Sequence, residues 1–183
     1  RHLHRLGMKV RVLEASDGPG GRVRTDRVEG FLLDRGFQVL LSAYPEARQE
    51  LDYAALDLKP FYPGAMVWLN GRFHRMADPW RSPIDAAASL LSPIGSFADK
   101  LRVAALRSRV RRGGVDSVFD QPERTTFQHL QGAGFSGRMI DHFFRPFFGG
   151  IFLERELWTS SRMFDFVCRM MKEGAVCIPP AGM

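Results

Sequence analysis

Apolar and polar positions alternate near the start of the chain. Met8, Val10 and Val12 fall on one side, Lys9 and Arg11 on the other, and Leu13 follows. A period of two predicts a β-strand over residues 8–14. Just before it, Leu3 and Leu6 read as the last turn of a helix, with Gly7 as its C-cap. Helix, glycine, strand is the order found in the second half of a β-α-β unit. Asp17-Gly18-Pro19-Gly20-Gly21 then predicts a tight loop. Residues 23–28 and 31–33 read as extended runs around Glu29-Gly30, a hairpin. Residues 65–69 and 72–76 flank Asn70-Gly71, the strongest hairpin signal in the chain.

Residues 45–55 predict a short helix between the two hairpins. Beyond the second hairpin the pattern becomes helical, at about residues 83–91, 96–111, 126–131 and 136–144. A last helix begins with Ser160 or Ser161 as N-cap, runs to Lys172 or Glu173 and stops at Gly174. Residues 175–178 return to an extended run. No internal repeat interrupts this order. The pattern shifts near residue 60, from strand-and-glycine material to a hairpin followed by a Phe-rich helical layer. A domain boundary is expected there, in an α/β protein.

Composition sharpens the picture. Of the 183 residues, 45% are hydrophobic, enough for a packed core. The 15 Phe against 3 Trp and 3 Tyr point to apolar aromatic surface, either core or the wall of a greasy pocket. The net charge of +6 is uneven: Lys100, Arg102, Arg107, Arg109, Arg111 and Arg112 crowd one predicted helix. Such a run is either a solvated face or an attractor of anions. Cys168 and Cys177 make neither a disulfide framework nor a metal-ligand spacing, which fits a reduced, cytoplasmic setting. No apolar run approaches the length of a membrane span, and no signal peptide opens the chain. Neither His129 nor His142 falls in a ligand or catalytic motif, and no catalytic acid or base is assigned.

The candidate chemistry sits in the first loop. A carboxylate at the tip of a strand, here Glu14, suits a vicinal diol such as that of ribose. Gly20 and Gly21 let backbone N–H groups approach a phosphate with no Cβ in the way. Arg22 adds a planar cation suited to a diphosphate.

Leu13-Glu14-Ala15, then Gly20-Gly21-Arg22 and Thr25, resemble the second FAD motif of the flavin-containing amine oxidase superfamily. That superfamily includes amine oxidases, protoporphyrinogen oxidases and phytoene-desaturase-like proteins. The resemblance implies that Glu14 binds the adenosine ribose and that Arg22 lies along the pyrophosphate and ribityl region. Ala15, Gly20 and Gly21 would complete that part of the site. Gly30-Phe31-Leu32-Leu33-Asp34-Arg35-Gly36-Phe37-Gln38 is similar to the family's strand and loop beneath the flavin ring. Gly36, Phe37 and Gln38 would then lie near the isoalloxazine. The segment from Phe143 to Leu153, with Leu157 and Ser160-Ser161-Arg162, resembles the desaturase-like branch. Pro179-Pro180-Ala181-Gly182-Met183 is similar to the family's P-x-G-G-M step, with Ala181 in place of the first glycine.

The resemblance implies a partial FAD-binding, Rossmann-like domain over residues 1–60. Residues 61–178 would form part of a mainly helical α+β substrate domain, and residues 179–183 the return to the FAD domain. The ribose-binding acid follows the G-x-G-x-x-G loop by about 20 residues. That loop and the first strand are therefore expected upstream of Arg1, and the chain alone is expected to hold FAD poorly and to be inactive. The implied reaction is hydride transfer from a C–N or C–C bond of a small apolar substrate to FAD. Two alternatives are an amine oxidase proper and a flavin-free binding or scaffold protein that keeps the fold. Peripheral membrane contact through the basic helix is a third expectation; nucleic acid is not among the expected partners.

Overall fold

The computed structural model describes residues 2–36, 39–82, 85 and 89–182. Along the chain, α1 (His2–Arg5) precedes the strands β1 (Thr25–Val28), β2 (Phe31–Asp34) and β3 (Leu40–Leu41). The helices α2 (Pro45–Glu50) and α3 (Tyr53–Leu56) follow, then β4 (Lys59–Pro60), β5 (Gly64–Leu69) and β6 (Arg72–Ala77). Next come α4 (Phe97–Arg109), a 3-10 turn (Val115–Val118), α5 (Thr126–Gly132) and α6 (Gly137–Met139). A π-turn (Ile140–Phe144) leads into α7 (Arg145–Phe152), and α8 (Ser161–Glu173) and β7 (Val176–Ile178) complete the order. Asp85 and residues 89–91 are helical; the rest of the helix expected at 83–91 lies outside the described residues. The chain divides into two compact units, Arg1–Phe61 with Gly174–Met183, and Tyr62–Glu173.

In the first unit, β1 and β2 pair antiparallel from Thr25↔Asp34 to Val28↔Phe31. Glu29 (φ 50°) and Gly30 (φ 87°) both take left-handed backbone, the two-residue turn that matches strand twist. β7 is the centre of a second sheet, antiparallel to β3 on one side and to β4 on the other. Ser42 fastens that sheet: its N–H donates to Ala175 O at 2.9 Å, and its Oγ accepts from Ala175 N at 2.8 Å.

Two expectations change here. Residues 8–14 belong to no ladder: they are exposed throughout, with Val12 77% and Leu13 85% accessible. A strand needs a neighbour to exchange hydrogen bonds with, and among the described residues none lies beside this segment. Every ladder between described strands is antiparallel. The single helix expected at 45–55 is two. Leu51 is extended at the C-cap of α2, and the Asp52 carboxylate accepts from Ala54 N and Ala55 N at 3.1 Å, starting α3. A short acidic side chain that bonds its own downstream N–H groups starts a helix rather than continuing one.

In the second unit, β5 and β6 pair from Gly64↔Ala77 to Leu69↔Arg72 around Asn70 (φ 53°) and Gly71 (φ 78°). The helices have clear starts. Ser96 and Asp99 form a capping box on α4, Thr125 and Gln128 form another on α5, and Ser136 caps α6. The helical run expected to end at Phe144 continues to Phe152. Pro146 predicts an end, because the residue before a proline disfavours helical backbone. Instead the wider π-turn falls just ahead of Pro146, which has no N–H to donate in the next turn.

The core of this unit is aromatic. Phe148 and Phe164 have ring centroids 4.6 Å apart, Phe135 and Phe144 4.9 Å, and all four are buried. Leu130, Met139, Ile140, Leu157 and Met170 close around them. Burial of each such side chain is worth about 1.5–3 kcal/mol. The first unit has little of this kind: among its described residues only Leu41, Ala43 and Cys177 are buried hydrophobics.

Part of the basic run is tied to neighbouring groups, and Arg109, Arg111 and Arg112 stay exposed. Lys100 donates to the carbonyls of Leu90 and Ser92, Arg107 pairs with Asp78, and Arg109 with Asp165. Arg102 lies 3.7 Å from Asp99.

Candidate functional site

The first loop is built around Glu14. Its Oε1 accepts from Ser16 N at 2.8 Å, and Ser16 Oγ donates to Gly18 O at 2.9 Å, so the loop turns tightly after Ala15. The Ser16 backbone N–H is the largest influence holding the Glu14 carboxyl below its ordinary pKa, and the group stays ionised on an exposed surface. Ala15 is exposed beside it.

The twin glycines follow. Gly20 (φ 120°) closes a turn in which Val23 N donates to Gly20 O at 2.8 Å, and a Cβ on Gly20 would lie 2.9 Å from Val23 O. Gly21 (φ 54°) is left-handed with open space around it. Both positions expose backbone where a side chain would intrude.

The arginines of this region then separate by role. Arg24 makes two bonds to Asp17, at 2.7 and 2.8 Å. Arg35 makes two to Asp26, at 2.7 and 2.9 Å. Arg24 also lies 3.9 Å from Asp26, so Asp17, Arg24, Asp26 and Arg35 form one ladder of alternating charge. The paired guanidinium groups hold both carboxyls below their ordinary range. Arg22 is exposed and stands outside the ladder, in no ion pair among the described residues. The sequence reading singled out Arg22 and missed the ladder. Its signal was Arg24 and Asp26 at the start of the first strand, with Arg35 just after the return strand.

The second and third motif segments meet the first. Gly36 packs against the backbone of Arg22, so that any Cβ there would overlap the Arg22 carbonyl oxygen. Arg35 N donates to Arg24 O at 2.9 Å, which holds the two segments together. Thr25 Oγ1 donates to Asp34 Oδ1 across the hairpin. Gly182 lies against Thr25, where a Cβ would come within 2.5 Å of the hydroxyl oxygen. Arg22, Arg24 and Thr25 thus lie against Gly36, Arg35 and Gly182. Phe37 and Gln38, expected near the flavin ring, lie outside the described residues.

These groups offer an ionised carboxylate, a guanidinium without a carboxylate partner and glycine backbone free of side chains. That donor set suits a sugar diol and a diphosphate; at Gly36 the Arg22 backbone leaves no room for a Cβ. No group of three or more His, Cys, Asp and Glu among the described residues could hold a metal ion. No helix among them is long and apolar enough to cross a membrane.

The family model for flavin containing amine oxidoreductase matches residues 1–183, and the chain belongs to that family. No curated protein matches the chain.

Proposed function

We propose that the chain carries one corner of an FAD site in an oxidoreductase that removes a hydride from a C–N or C–C bond of an apolar substrate. Glu14 would hold the ribose hydroxyls. Arg22, with the backbone of Gly20 and Gly21, would face the diphosphate. Gly36, with Phe37 and Gln38, would border the flavin ring. When bound, the flavin supplies the hydride acceptor; the protein orients the cofactor, keeps charge beside the diphosphate and excludes water from the reacting bond. The observation that supports the reading is the close approach of Gly36 to Arg22, residues of two separate motif segments.

The apolar substrate rests on α7. After the π-turn its phenylalanines divide: Phe144 and Phe148 enter the core, while Phe143 and Phe147 stack nearly parallel (6° between planes) and stay half-buried. Ile151, 42% exposed, continues the same side of the helix. This stripe carries no charged group, as expected of a wall against an apolar ligand.

The test is cofactor release from the purified full-length protein, with the flavin identified chromatographically, in wild type and in Glu14→Ala and Arg22→Ala. Both variants should lose bound FAD while keeping the wild-type circular dichroism. Undiminished FAD in both would overturn the assignment. A panel of primary amines and apolar polyenes or cyclic hydrocarbons, scored by flavin bleaching without oxygen, separates a desaturase-like enzyme from an amine oxidase.

A further inference from the structure

A buried polar cluster in the second unit takes no part in the proposed chemistry. It lies where α4, α5 and α8 meet. Arg109 Nη2 is 2.6 Å from His129 Nε2 and 3.1 Å from Asp165 Oδ1, and those two atoms are 3.2 Å apart. His129 and Asp165 are 6% and 7% accessible, whereas the Arg109 side chain is 42% accessible. His129 Nδ1 is buried with no hydrogen-bond partner among the described residues.

The three atoms cannot all be satisfied at once. A guanidinium only donates and a carboxylate only accepts. With Nε2 bare, Arg109 donates to both neighbours, and nitrogen and carboxylate face each other as two acceptors. With a proton on Nε2, the imidazole donates to Asp165, and two N–H groups then confront each other at the shortest edge of the triangle.

We propose that a proton and Arg109 compete for His129 Nε2, which makes the triangle a pH-operated latch on the C-terminal end of α4. The groups facing His129 are Arg109 from α4, Asp165 from α8 and the edge of the Phe164 ring, with Cys168 of α8 coupled to Asp165 and Arg109. Proton uptake pairs His129 with Asp165. Arg109, the member with a path to water, then swings outward and frees the end of α4. Proton loss restores the guanidinium contact.

Hydrogen exchange of the full chain, read by mass spectrometry at about pH 8 and about pH 5 and corrected for intrinsic rates, tests this. Peptides covering the end of α4 should lose protection by roughly tenfold at the lower pH, while peptides from the β5–β6 hairpin keep theirs. His129→Gln can accept from Arg109 and donate to Asp165 at any pH, and should abolish the difference. Equal protection of wild type at both pH values, or an unchanged pH dependence in His129→Gln, would overturn the latch. Should that variant fail to fold, nitrogen NMR of the wild-type imidazole decides. A bare Nε2 at the higher pH supports the latch, and a protonated Nε2 there refutes it.

Discussion

Gly36 and Arg22 touch backbone to backbone, with no room for a β-carbon between them. The contact ties the loop after the first hairpin to the residue proposed to face the diphosphate. Local geometry here is set by absence of a side chain, so the smallest substitution is informative.

Gly36→Ala forces a methyl group into the Arg22 carbonyl. Overpacking of this kind costs about 1–3 kcal/mol, and the easiest relief is displacement of Arg22. Flavin content, read as flavin absorbance per protein, should fall by about tenfold or more, because about 1.4 kcal/mol is a factor of ten. Gly71→Ala, at the turn between β5 and β6 and outside the proposed site, is the control. Its left-handed backbone strains an alanine by about 1–2 kcal/mol, but nothing lies within 4 Å of the added carbon. It should lower thermal stability slightly and reduce flavin content less than Gly36→Ala does.

Asp99 supports two helix starts at once. Fully buried, it accepts from the N–H and hydroxyl of Ser96 and from the N–H and hydroxyl of Ser136. Burial alone raises its pKa, yet the hydrogen bonds from Ser136 and Ser96 outweigh that and hold it at about 2. A carboxyl whose folded pKa is depressed adds stability above its unfolded value of about 3.9 and loses it as pH falls toward the folded value. Denaturant unfolding should therefore show a loss of about 2 kcal/mol between about pH 5 and pH 2, and Asp99→Asn should be largely free of that component. Asp99→Asn also turns an amide N–H₂ toward donors and should cost about 2–3 kcal/mol at neutral pH.

Much of the second unit was legible in the sequence because its signals are local. Asn70-Gly71 fixes a hairpin by backbone sign, and Ser96, Thr125 and Ser136 mark helix starts through side-chain bonds to the next turn. The motif reading put Gly36 and Arg22 in one expected site, and the two residues touch. What stayed hidden depends on partners distant in sequence or on competition between rules. Residues 8–14 alternate like a strand but have no ladder to join among the described residues. Asp52 splits a helix by bonding its own downstream amides. Pro146 reads as a stop, although a π-turn carries the helix past it. The Asp17–Arg24–Asp26–Arg35 ladder forms only once the first hairpin brings both strands side by side.

The division of phenylalanines on α7 separates stability from substrate binding. Phe164 is fully buried against Phe144 and Phe148. Phe164→Ala should cost about 3–5 kcal/mol and lower the melting temperature sharply, whatever the substrate. Phe147 is half-buried and stacks on Phe143 with centroids 5.6 Å apart. Phe147→Ala removes that contact and part of an apolar surface, worth about 1 kcal/mol of stability. If the stripe of Phe143, Phe147 and Ile151 is a substrate wall, Phe147→Ala should raise KM for an apolar substrate several-fold, with kcat nearly unchanged, because binding lost equally in ground and transition states appears in KM alone. Stability and KM measured together decide the point. A large stability loss with an unchanged KM would return Phe147 to the core and leave the apolar substrate without its wall.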